Sequence, residues 1–521
     1  MTTEPGLVQA LLDPAAYDHP VKKVRLRETH ISWVFLTGDY AYKLKKPVDF
    51  GFLDFSSLDK RRFYCNEELR LNRRFAPELY LAVVPVTRRS GRIRMGGEGP
   101  AVEYAVQMRQ FDDDALLDHQ AERGGLDDAL VDAMVVAIAD FHARAEPAPA
   151  GSAWGEPDDI QHWFQENIDH IRPLLEDADD GDRLDSLEAW GRREAARLRD
   201  AMQRRRREGC VRECHGDLHL GNLVRIGDRV LPFDCIEFNP HLRWIDLMSE
   251  IAFLYMDLAH RGLDRQARRF LNLYLQRTGD YGGLALLPYY LVYRALVRAK
   301  VAILRLAQET DADYRRRARA EYRAYAELAV RFTRPGRPAL LITHGLSGSG
   351  KSTLAARLVE WLGAVQLRSD VERKRLFGLP AQARSGSGVA AGIYTPDASR
   401  RTYQRLAQLA EVVVGAGFPV IVDATFLQRT QRAAFRELAA RAGVPFLVLD
   451  LQAPPAVLRR RVQARRRAGR DPSEAGLAVL EKQLRDAEPL AADEGPRLVI
   501  DATREPDRAA LLRELDFGVF G

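Results

Sequence analysis

The sequence contains little cysteine and no long apolar run. Four cysteines in 521 residues are too few for a disulfide framework, and they fit a reducing compartment. No uninterrupted apolar run approaches the roughly 18 residues that indicate a transmembrane helix. The segment MTTEPGLVQALLDPAAYDHP at the N-terminus carries acids and prolines instead of the apolar centre of a signal peptide. We therefore expect a cytoplasmic protein that does not cross a membrane.

The sequence also lacks a large excess of charge of either sign. Its 78 basic and 73 acidic residues leave a formal net charge of +5, which is too small to indicate a nucleic-acid-binding protein. Hydrophobic residues make up 46% and charged residues 29%, an ordinary balance for globular proteins. Because a chain of this length exceeds what one hydrophobic core usually supports, it predicts two or more folded domains.

A change of sequence pattern marks one domain boundary. In RFTRPGRPALLITHG, two prolines and a glycine separate a long helical tract from an apolar strand. We place one domain at residues 1–333 and a second at residues 338–521. Strand patterns dominate residues 20–115 of the first domain, and helical periodicity dominates residues 116–333. This order predicts a small β-rich lobe, a larger helical lobe and a ligand cleft between them.

The helical lobe is interrupted by a polar segment with the sequence HGDLHLGNLVRIGDRVLPFDCIEF. A zinc site is one interpretation, but the segment has no C-x-x-C pair and its spacings match no standard site. The candidate ligands would be Cys210, Cys214, His215, His219 and Cys235. A polar turn between strands is a second interpretation, and it leaves the spacing of the acids unexplained.

Phosphoryl transfer explains that spacing better. Asp217 precedes Asn222 by five residues, and Asp234 follows after a hairpin that turns at residues 227–228. Kinases use such a loop aspartate to accept the hydroxyl proton, and an asparagine and a second aspartate to hold Mg²⁺. Carboxylate and amide oxygens suit Mg²⁺, which keeps several waters and needs few protein ligands. We therefore expect Asp217 to be the catalytic base and Asn222 and Asp234 to be metal ligands.

The motifs HGDLHLGNL and FDCIEF resemble those of the aminoglycoside phosphotransferase-like kinases, over about the first 330 residues. The resemblance implies the same roles for Asp217, Asn222 and Asp234. It also implies a structural role for Asp246, as a helix cap or as a partner of the catalytic loop. No G-x-G-x-x-G loop precedes Lys43, so an ordinary protein kinase is not expected.

A kinase requires a strand lysine paired with a helix glutamate in its small lobe. In the strand YAYKLK, alternation places Lys43 and Lys45 on one face, and we favour Lys43 for the ATP phosphates. Glu67 and Glu68 lie on the following helix, and either is a candidate partner. We favour Glu68 because its helical spacing puts it on the face shared with apolar residues.

The second domain opens with a complete phosphate-binding loop. LLITHGLSGSGKST places G-x-x-x-x-G-K-S after an apolar strand and at the start of a helix, as a Walker A motif requires. Lys351 would reach the β- and γ-phosphates, and Ser352 would bind Mg²⁺. The expected nucleotide-binding residues of this loop are Gly345, Ser347, Gly348, Ser349, Gly350, Lys351, Ser352 and Thr353.

Five further residues complete the predicted P-loop site. Asp370 and Arg373 lie three residues apart, so an acid and a cation converge on one helix face. Asp423 ends an apolar strand, in the position of a metal-binding or substrate-positioning acid. Arg461 and Arg465 share a face of an arginine-rich helix. This region resembles the P-loop kinases related to chloramphenicol phosphotransferase and the polynucleotide 5′-kinases. The resemblance implies that Asp370 is the base, that Arg373 contacts substrate and that Arg461 and Arg465 are lid arginines.

The predicted fold is an α+β two-lobed protein-kinase-like domain followed by an α/β P-loop NTPase domain with a mostly parallel sheet. The predicted function is transfer of the ATP γ-phosphate, with Mg²⁺, to hydroxyl groups of small molecules at two centres. One alternative is a polynucleotide 5′-hydroxyl kinase, which would use Arg204–Arg207 and the later arginines as a phosphate track and have a regulatory N-terminal domain. Another is a regulatory nucleotide-binding protein. The sequence names neither acceptor.

Overall fold

The computed structural model describes residues 6–51, 53–308, 311–387, 391–468 and 471–515. The chain forms two compact units. The first comprises residues 1–261 and 293–326, and the second comprises residues 262–292 and 327–521. The second unit therefore includes a segment that precedes the P-loop region by some distance in sequence. The division of the chain into two domains at one boundary, between residues 333 and 338, stays a prediction.

The small lobe of the first unit is built on a six-stranded antiparallel sheet with the order β1-β2-β3-β6-β4-β5. Helix α2 packs against β6 and β4, and Ser57 caps its N-terminus by accepting from the Lys60 N–H. The elements are α1 (Leu7–Leu11), β1 (Arg25–Glu28), β2 (Ser32–Leu36), β3 (Tyr40–Lys45), α2 (Leu58–Asn72), β4 (Tyr80–Arg89), β5 (Arg92–Met95) and β6 (Ala101–Arg109).

The large lobe is mainly helical and contains two short antiparallel strand pairs, β7 with β10 and β8 with β9. The β8–β9 hairpin turns at residues 227–228, as the sequence predicts. Between residues 116 and 333 the elements are α3 (Leu117–Glu122), α4 (Asp128–Arg144), α5 (Pro157–Ile171), α6 (Ala178–Arg207), β7 (Val211–Glu213), β8 (Leu223–Ile226), β9 (Arg229–Pro232), β10 (Trp244–Asp246), α7 (Leu247–His260), α8 (Asp264–Thr278), α9 (Leu287–Gln308) and α10 (Ala312–Phe332). Helix α8, the start of α9 and the end of α10 belong to the second unit.

The second unit contains a parallel five-stranded sheet with the order β12-β13-β11-β14-β15. Its central strand β11 is buried along nearly its whole length, which explains the continuous apolar run in its sequence. The elements are β11 (Leu340–His344), α11 (Lys351–Leu362), β12 (Val365–Arg368), α12 (Ser369–Leu376), α13 (Pro396–Gly415), β13 (Val420–Asp423), α14 (Arg429–Ala442), β14 (Phe446–Gln452), α15 (Pro455–Ala468), α16 (Leu477–Asp486), β15 (Arg497–Asp501) and α17 (Arg508–Leu515).

Helix α8 covers the outer edge of this sheet. It packs against α11 and β12, and Asn272 accepts a hydrogen bond from the Gln366 N–H of β12 at 2.8 Å. An uncovered edge strand exposes unpaired backbone groups, and here a side chain of α8 satisfies one of them. The predicted fold class is confirmed for both units, and α8 is a part of the P-loop unit that its sequence did not indicate.

Candidate active sites

In the first unit, strand β3 and helix α2 bring Lys43 against two carboxylates. The Lys43 Nζ donates to Glu68 Oε1 at 2.9 Å and also to Asp234, which lies 191 positions further along the chain. Glu67 instead forms an ion pair with Arg70. The structure therefore unites Lys43, Glu68 and Asp234, and the rotation of α2 selects Glu68 as the partner that the sequence left open.

A second buried lysine extends this cluster. Lys45 donates to Glu68 Oε2 at 2.7 Å and also to Glu237. Burial opposes the charge on Glu68, but Lys43 and Lys45 outweigh it and lower the Glu68 pKa to about 2. Burial would lower the Lys43 pKa, but Asp234 and Glu68 hold it well above its ordinary value. Two lysines and three carboxylates thus form one paired network. Sequence reasoning missed Glu237, although its place three residues after Asp234 was a usable signal.

The predicted catalytic loop is held by one side chain of its own. Asn222 Nδ2 donates to the Asp217 backbone carbonyl at 2.9 Å and to Asp217 Oδ2 at 3.0 Å. The Phe233 N–H donates to the Asn222 carbonyl at 3.0 Å, which brings Asp234 next to Asn222. Burial would raise the Asp217 pKa, but His219, together with Arg298, holds it below its ordinary value. Asp217 is therefore an ionised acceptor at neutral pH.

Helix α7 anchors the backbone of the same loop. The two Glu250 carboxylate oxygens accept from the His215 and Gly216 N–H groups at 2.6 and 3.0 Å. Asp257 accepts from the Leu220 N–H at 2.9 Å. Asp246 caps α7 by accepting from the Met248 N–H at 2.7 Å, consistent with its expected structural role. No sequence pattern indicated Glu250 or Asp257, because only the fold brings their helix to the loop.

The structure does not favour zinc here. Among the described residues, one group has donor atoms close enough to hold a metal, namely His142, Cys214 and Glu250. Glu250 already accepts from two backbone N–H groups, and burial raises the Cys214 pKa well above its usual value. A cysteine binds zinc as a thiolate, so this donor set does not suit the ion.

In the second unit, the P-loop surrounds its lysine with carbonyl groups. Lys351 Nζ donates to the Gly345 and Leu346 carbonyls at 2.9 and 2.8 Å. Gly350 opens α11 with a φ of 88°, and a Cβ atom on Gly345 would lie 2.7 Å from the Leu451 carbonyl oxygen. Both positions therefore require glycine. Burial lowers the Lys351 pKa to about 8.

The predicted metal-binding residues lie near the start of α11. Gln366 Nε2 donates to Asp423 Oδ2 at 2.9 Å and lies 3.5 Å from the Ser352 carbonyl oxygen. Asp423 at the end of β13 and Ser352 are therefore linked through one side chain. Gln366 itself is held by α8, because Gln276 Nε2 donates to its Oε1 at 3.1 Å. Sequence reasoning missed Gln366, since a lone glutamine in a strand gives no motif.

A cleft of about 1660 Å³ opens over the P-loop. Arg461 Nη2 donates to the Ala502 carbonyl at 2.8 Å, and Arg465 Nη2 donates to the Ala475 carbonyl at 3.0 Å. Gln483 on α16 accepts from the Ser347 N–H at 2.8 Å, a contact that the sequence did not indicate. The predicted residues lining the cleft are Ser347, Gly348, Gly350, Lys351, Ser352, Thr353, Asp370, Arg373, Asp423, Arg461 and Arg465. Ser349 is buried in the loop.

Asp370 and Arg373 lie on α12, and both line this cleft. Arg373 Nη1 donates to the Ile393 carbonyl at 3.1 Å and to Ser399 Oγ at 3.2 Å. The two residues form no ion pair with each other within 4.0 Å. The acid and the cation therefore present separate groups to the same cleft.

Known proteins resemble this chain over most of its length. An uncharacterized protein of Mycobacterium tuberculosis strain H37Rv is 30% identical over 450 residues, which cover 86% of this chain and 88% of that protein. An uncharacterized protein of Mycobacterium bovis matches to the same extent. The chain belongs to the family of these mycobacterial proteins. An AAA domain model matches residues 340–490.

Two further similarities are partial. An adenylyl-sulfate kinase of Myxococcus xanthus is 32% identical over 114 residues, or 22% of this chain and 57% of that one. The structure of a choline/ethanolamine kinase family protein from Mesorhizobium loti covers 63% of this chain and 99% of its own, at 14% identity and a TM-score of 0.37.

The match to an AAA domain model confirms the predicted P-loop domain. The first unit has the β-rich lobe and the helical lobe that the sequence predicts. Within the described residues, no helix has both the length and the apolar character needed to span a bilayer.

Proposed function

We propose that this protein transfers the γ-phosphate of Mg-ATP to hydroxyl groups of small molecules at two centres, one in each unit. The observation that supports it is the repetition of one set of groups in both units. Each unit has a buried lysine for phosphate, an acid and a neutral oxygen ligand for Mg²⁺, and a separate aspartate for the acceptor. Phosphoryl transfer needs little beyond such positioning and charge stabilisation.

At the first centre, Lys43 would bind the α- and β-phosphates. The Asn222 amide nitrogen is engaged by Asp217, so its oxygen is the atom left for Mg²⁺, beside Asp234. Amide and carboxylate oxygens fit this ion, which would neutralise charge on the phosphates. Asp217 would accept the hydrogen of the acceptor hydroxyl as its oxygen bonds to phosphorus.

At the P-loop centre, the backbone N–H groups of the first turn of α11 and the positive end of that helix would bind the phosphates. The Ser352 hydroxyl and the Asp423 carboxylate suit Mg²⁺ for the same reason as at the first centre. Lys351 would exchange its carbonyl partners for phosphate oxygens. Asp370 would accept the acceptor proton, and Arg461 and Arg465 would offset charge on the transferred group.

The test is phosphate transfer from γ-³²P-ATP and Mg²⁺ to a bacterial small-molecule extract. The full-length wild type would be compared with Asp217→Asn, Lys351→Ala and the double variant. We expect Asp217→Asn to lower one set of products by about 10²- to 10⁴-fold, the usual contribution of a general base. Lys351→Ala should remove a different set. Asp228→Asn, at the exposed hairpin turn, is the matched control and should change neither.

Other outcomes separate the alternatives. Transfer to 5′-hydroxyl oligonucleotides alone, lost with Lys351→Ala, would identify a polynucleotide kinase. Two of the arginines proposed for its phosphate track are engaged within the first unit, because Arg205 pairs with Asp246 and Arg206 donates to the Trp154 carbonyl. Unchanged transfer in the double variant would refute both proposed centres.

A further inference from the structure

The P-loop unit has a second cavity, of about 370 Å³, outside the cleft over the P-loop. Its walls come from α12 and α13. Asp370 and Arg373 of α12 line the cleft. Glu372 and Arg375 of the same helix line the second cavity, so they project from another face. Of the residues that line this cavity, only Gln404 also lines the cleft. A ligand here would therefore leave the proposed nucleotide and acceptor sites free.

The charges that line this cavity do not balance. Three arginines, Arg375, Arg401 and Arg405, stand against a single glutamate, Glu372. Arg375 pairs with Glu372, and the Arg405 Nε lies 3.9 Å from the same carboxylate. Arg401 has no carboxylate within 4.0 Å among the described residues. Because Arg401 and Arg405 are four positions apart on α13, their like charges also repel each other. The cavity therefore has an excess of positive charge.

Glu372 has an unused acceptor atom at this cavity. The residue is 1% exposed. Its Oε1 accepts from Arg375 and, at 3.5 Å, from the Tyr281 hydroxyl. Its Oε2 is buried and has no hydrogen-bond partner in the described part of the chain, since Arg405 at 3.9 Å is too distant to donate. A buried polar atom is ordinarily hydrogen-bonded, so a donor is missing beside Glu372.

Two of the arginines are held in position by neutral groups. Arg375 Nη2 donates to the Gln276 carbonyl at 2.5 Å. The Arg401 guanidinium lies 5.5 Å from the centre of the Phe377 ring, within the range of a cation–π contact. These contacts fix the guanidinium groups without neutralising them. A preorganised site loses less conformational entropy when its ligand binds.

We propose that this cavity binds a small phosphate ester that also carries a hydroxyl group. A phosphate ester has close to two negative charges at neutral pH, which matches the excess of arginines. Arg401 and Arg405 would bind its oxygens, because a guanidinium group fits phosphate. The ligand hydroxyl would donate to Glu372 Oε2. The cavity volume lies in the range of small-molecule sites, and no phosphate is transferred here, so the inference does not depend on the proposed function.

The test maps the reactivity of individual arginines in the full-length protein. p-Hydroxyphenylglyoxal modifies accessible guanidinium groups, and mass spectrometry reports the extent of modification at each position. Mg²⁺ and a non-hydrolysable ATP analogue are present throughout, so that the nucleotide sites are already filled. The probes are glycerol 3-phosphate, inorganic phosphate and glycerol. Arg441 is the internal control, because it is exposed on α14 and does not line the cavity.

We expect glycerol 3-phosphate to slow the modification of Arg401 and Arg405 several-fold and to leave Arg441 unchanged. Inorganic phosphate should protect the same two arginines only at about tenfold higher concentration, the value of one hydrogen bond to a charged group, because it lacks the carbon-borne hydroxyl for Glu372. Glycerol lacks the charge and should not protect them.

A pair of variants tests the site by calorimetry with glycerol 3-phosphate. The double variant Arg401→Gln/Arg405→Gln should bind it about 10- to 100-fold more weakly. Arg441→Gln is the matched control and should change the affinity by less than about twofold. Neither Arg401 nor Arg405 is buried, so the double variant should fold.

Four results would overturn the inference. They are absence of protection by glycerol 3-phosphate, equal protection of Arg441, protection by glycerol as strong as by glycerol 3-phosphate, and unchanged affinity in the double variant. Equal affinity for inorganic phosphate and glycerol 3-phosphate would refute the contact between the ligand hydroxyl and Glu372. If the double variant did not fold, the protection pattern in the wild type would still decide.

Discussion

The two sites hold their charged groups in opposite ways. In the first unit, Lys43 and Lys45 are surrounded by three carboxylates, so the site is compensated before any ligand binds. In the P-loop unit, Lys351 contacts neutral carbonyls and Arg373 has no carboxylate partner among the described residues. Under the proposed function, the first site would exchange partners when ATP and Mg²⁺ bind, whereas the second would gain its counter-charges from its ligands. The two units thus differ in how their buried cations are compensated.

The largest effect should come from breaking the paired network. Replacing Lys45, which is 1% exposed, with methionine would leave Glu68 and Glu237 without their shared cation. Removing one partner of a buried pair typically costs about 3–5 kcal/mol. We expect faster hydrogen exchange in β3 and α2 of Lys45→Met.

Lys46→Met is the matched control, because the Lys46 partner Glu28 is mostly exposed. It should change stability by less than about 1 kcal/mol. Equal exchange in the two variants would show that paired charges do not hold the first site together.

A smaller effect should follow when α8 no longer covers the P-loop sheet. Asn272→Ala would leave the buried Gln366 N–H unpaired, at a cost of about 1–3 kcal/mol. Hydrogen exchange in β12 should rise accordingly. Thr278→Ala, at the exposed end of the same helix, should leave β12 protected. If Asn272→Ala also left it protected, α8 would not be the element that stabilises this edge.

The smallest effect should be a difference between Lys351 and Lys43 in how nucleotide affinity depends on pH. Lys351 has a pKa of about 8, so it loses its proton above pH 8, and nucleotide binding there requires proton uptake. Affinity at the P-loop, measured by calorimetry in Lys43→Ala, should fall about tenfold per pH unit above 8. The Lys43 pKa is raised, so it keeps its proton over this range. Affinity at the first centre, measured in Lys351→Ala, should stay constant between pH 8 and 9.5. If nucleotide affinity fell equally with pH at both centres, this difference between Lys351 and Lys43 would be refuted.

Local patterns predicted a large part of this molecule. The order of strands and helices, the hairpin before Asp234 and the P-loop follow from alternation, turn residues and glycine spacing, which act over a few residues. The choice between Glu67 and Glu68 was open because adjacent helix positions differ only in which side of the helix they face. That direction depends on how α2 packs against its sheet.

The sequence by itself determined two kinase-type units and the residue types that each site requires, because its motifs record short-range geometry. Only the tertiary structure decided which distant groups meet. It joined Lys43 to Asp234, bound Glu250 to the loop that begins at His215, linked α8 through Gln366 to Asp423, and left Arg373 without a carboxylate partner among the described residues. Such pairings arise from packing between elements far apart in sequence, and no local pattern encodes them.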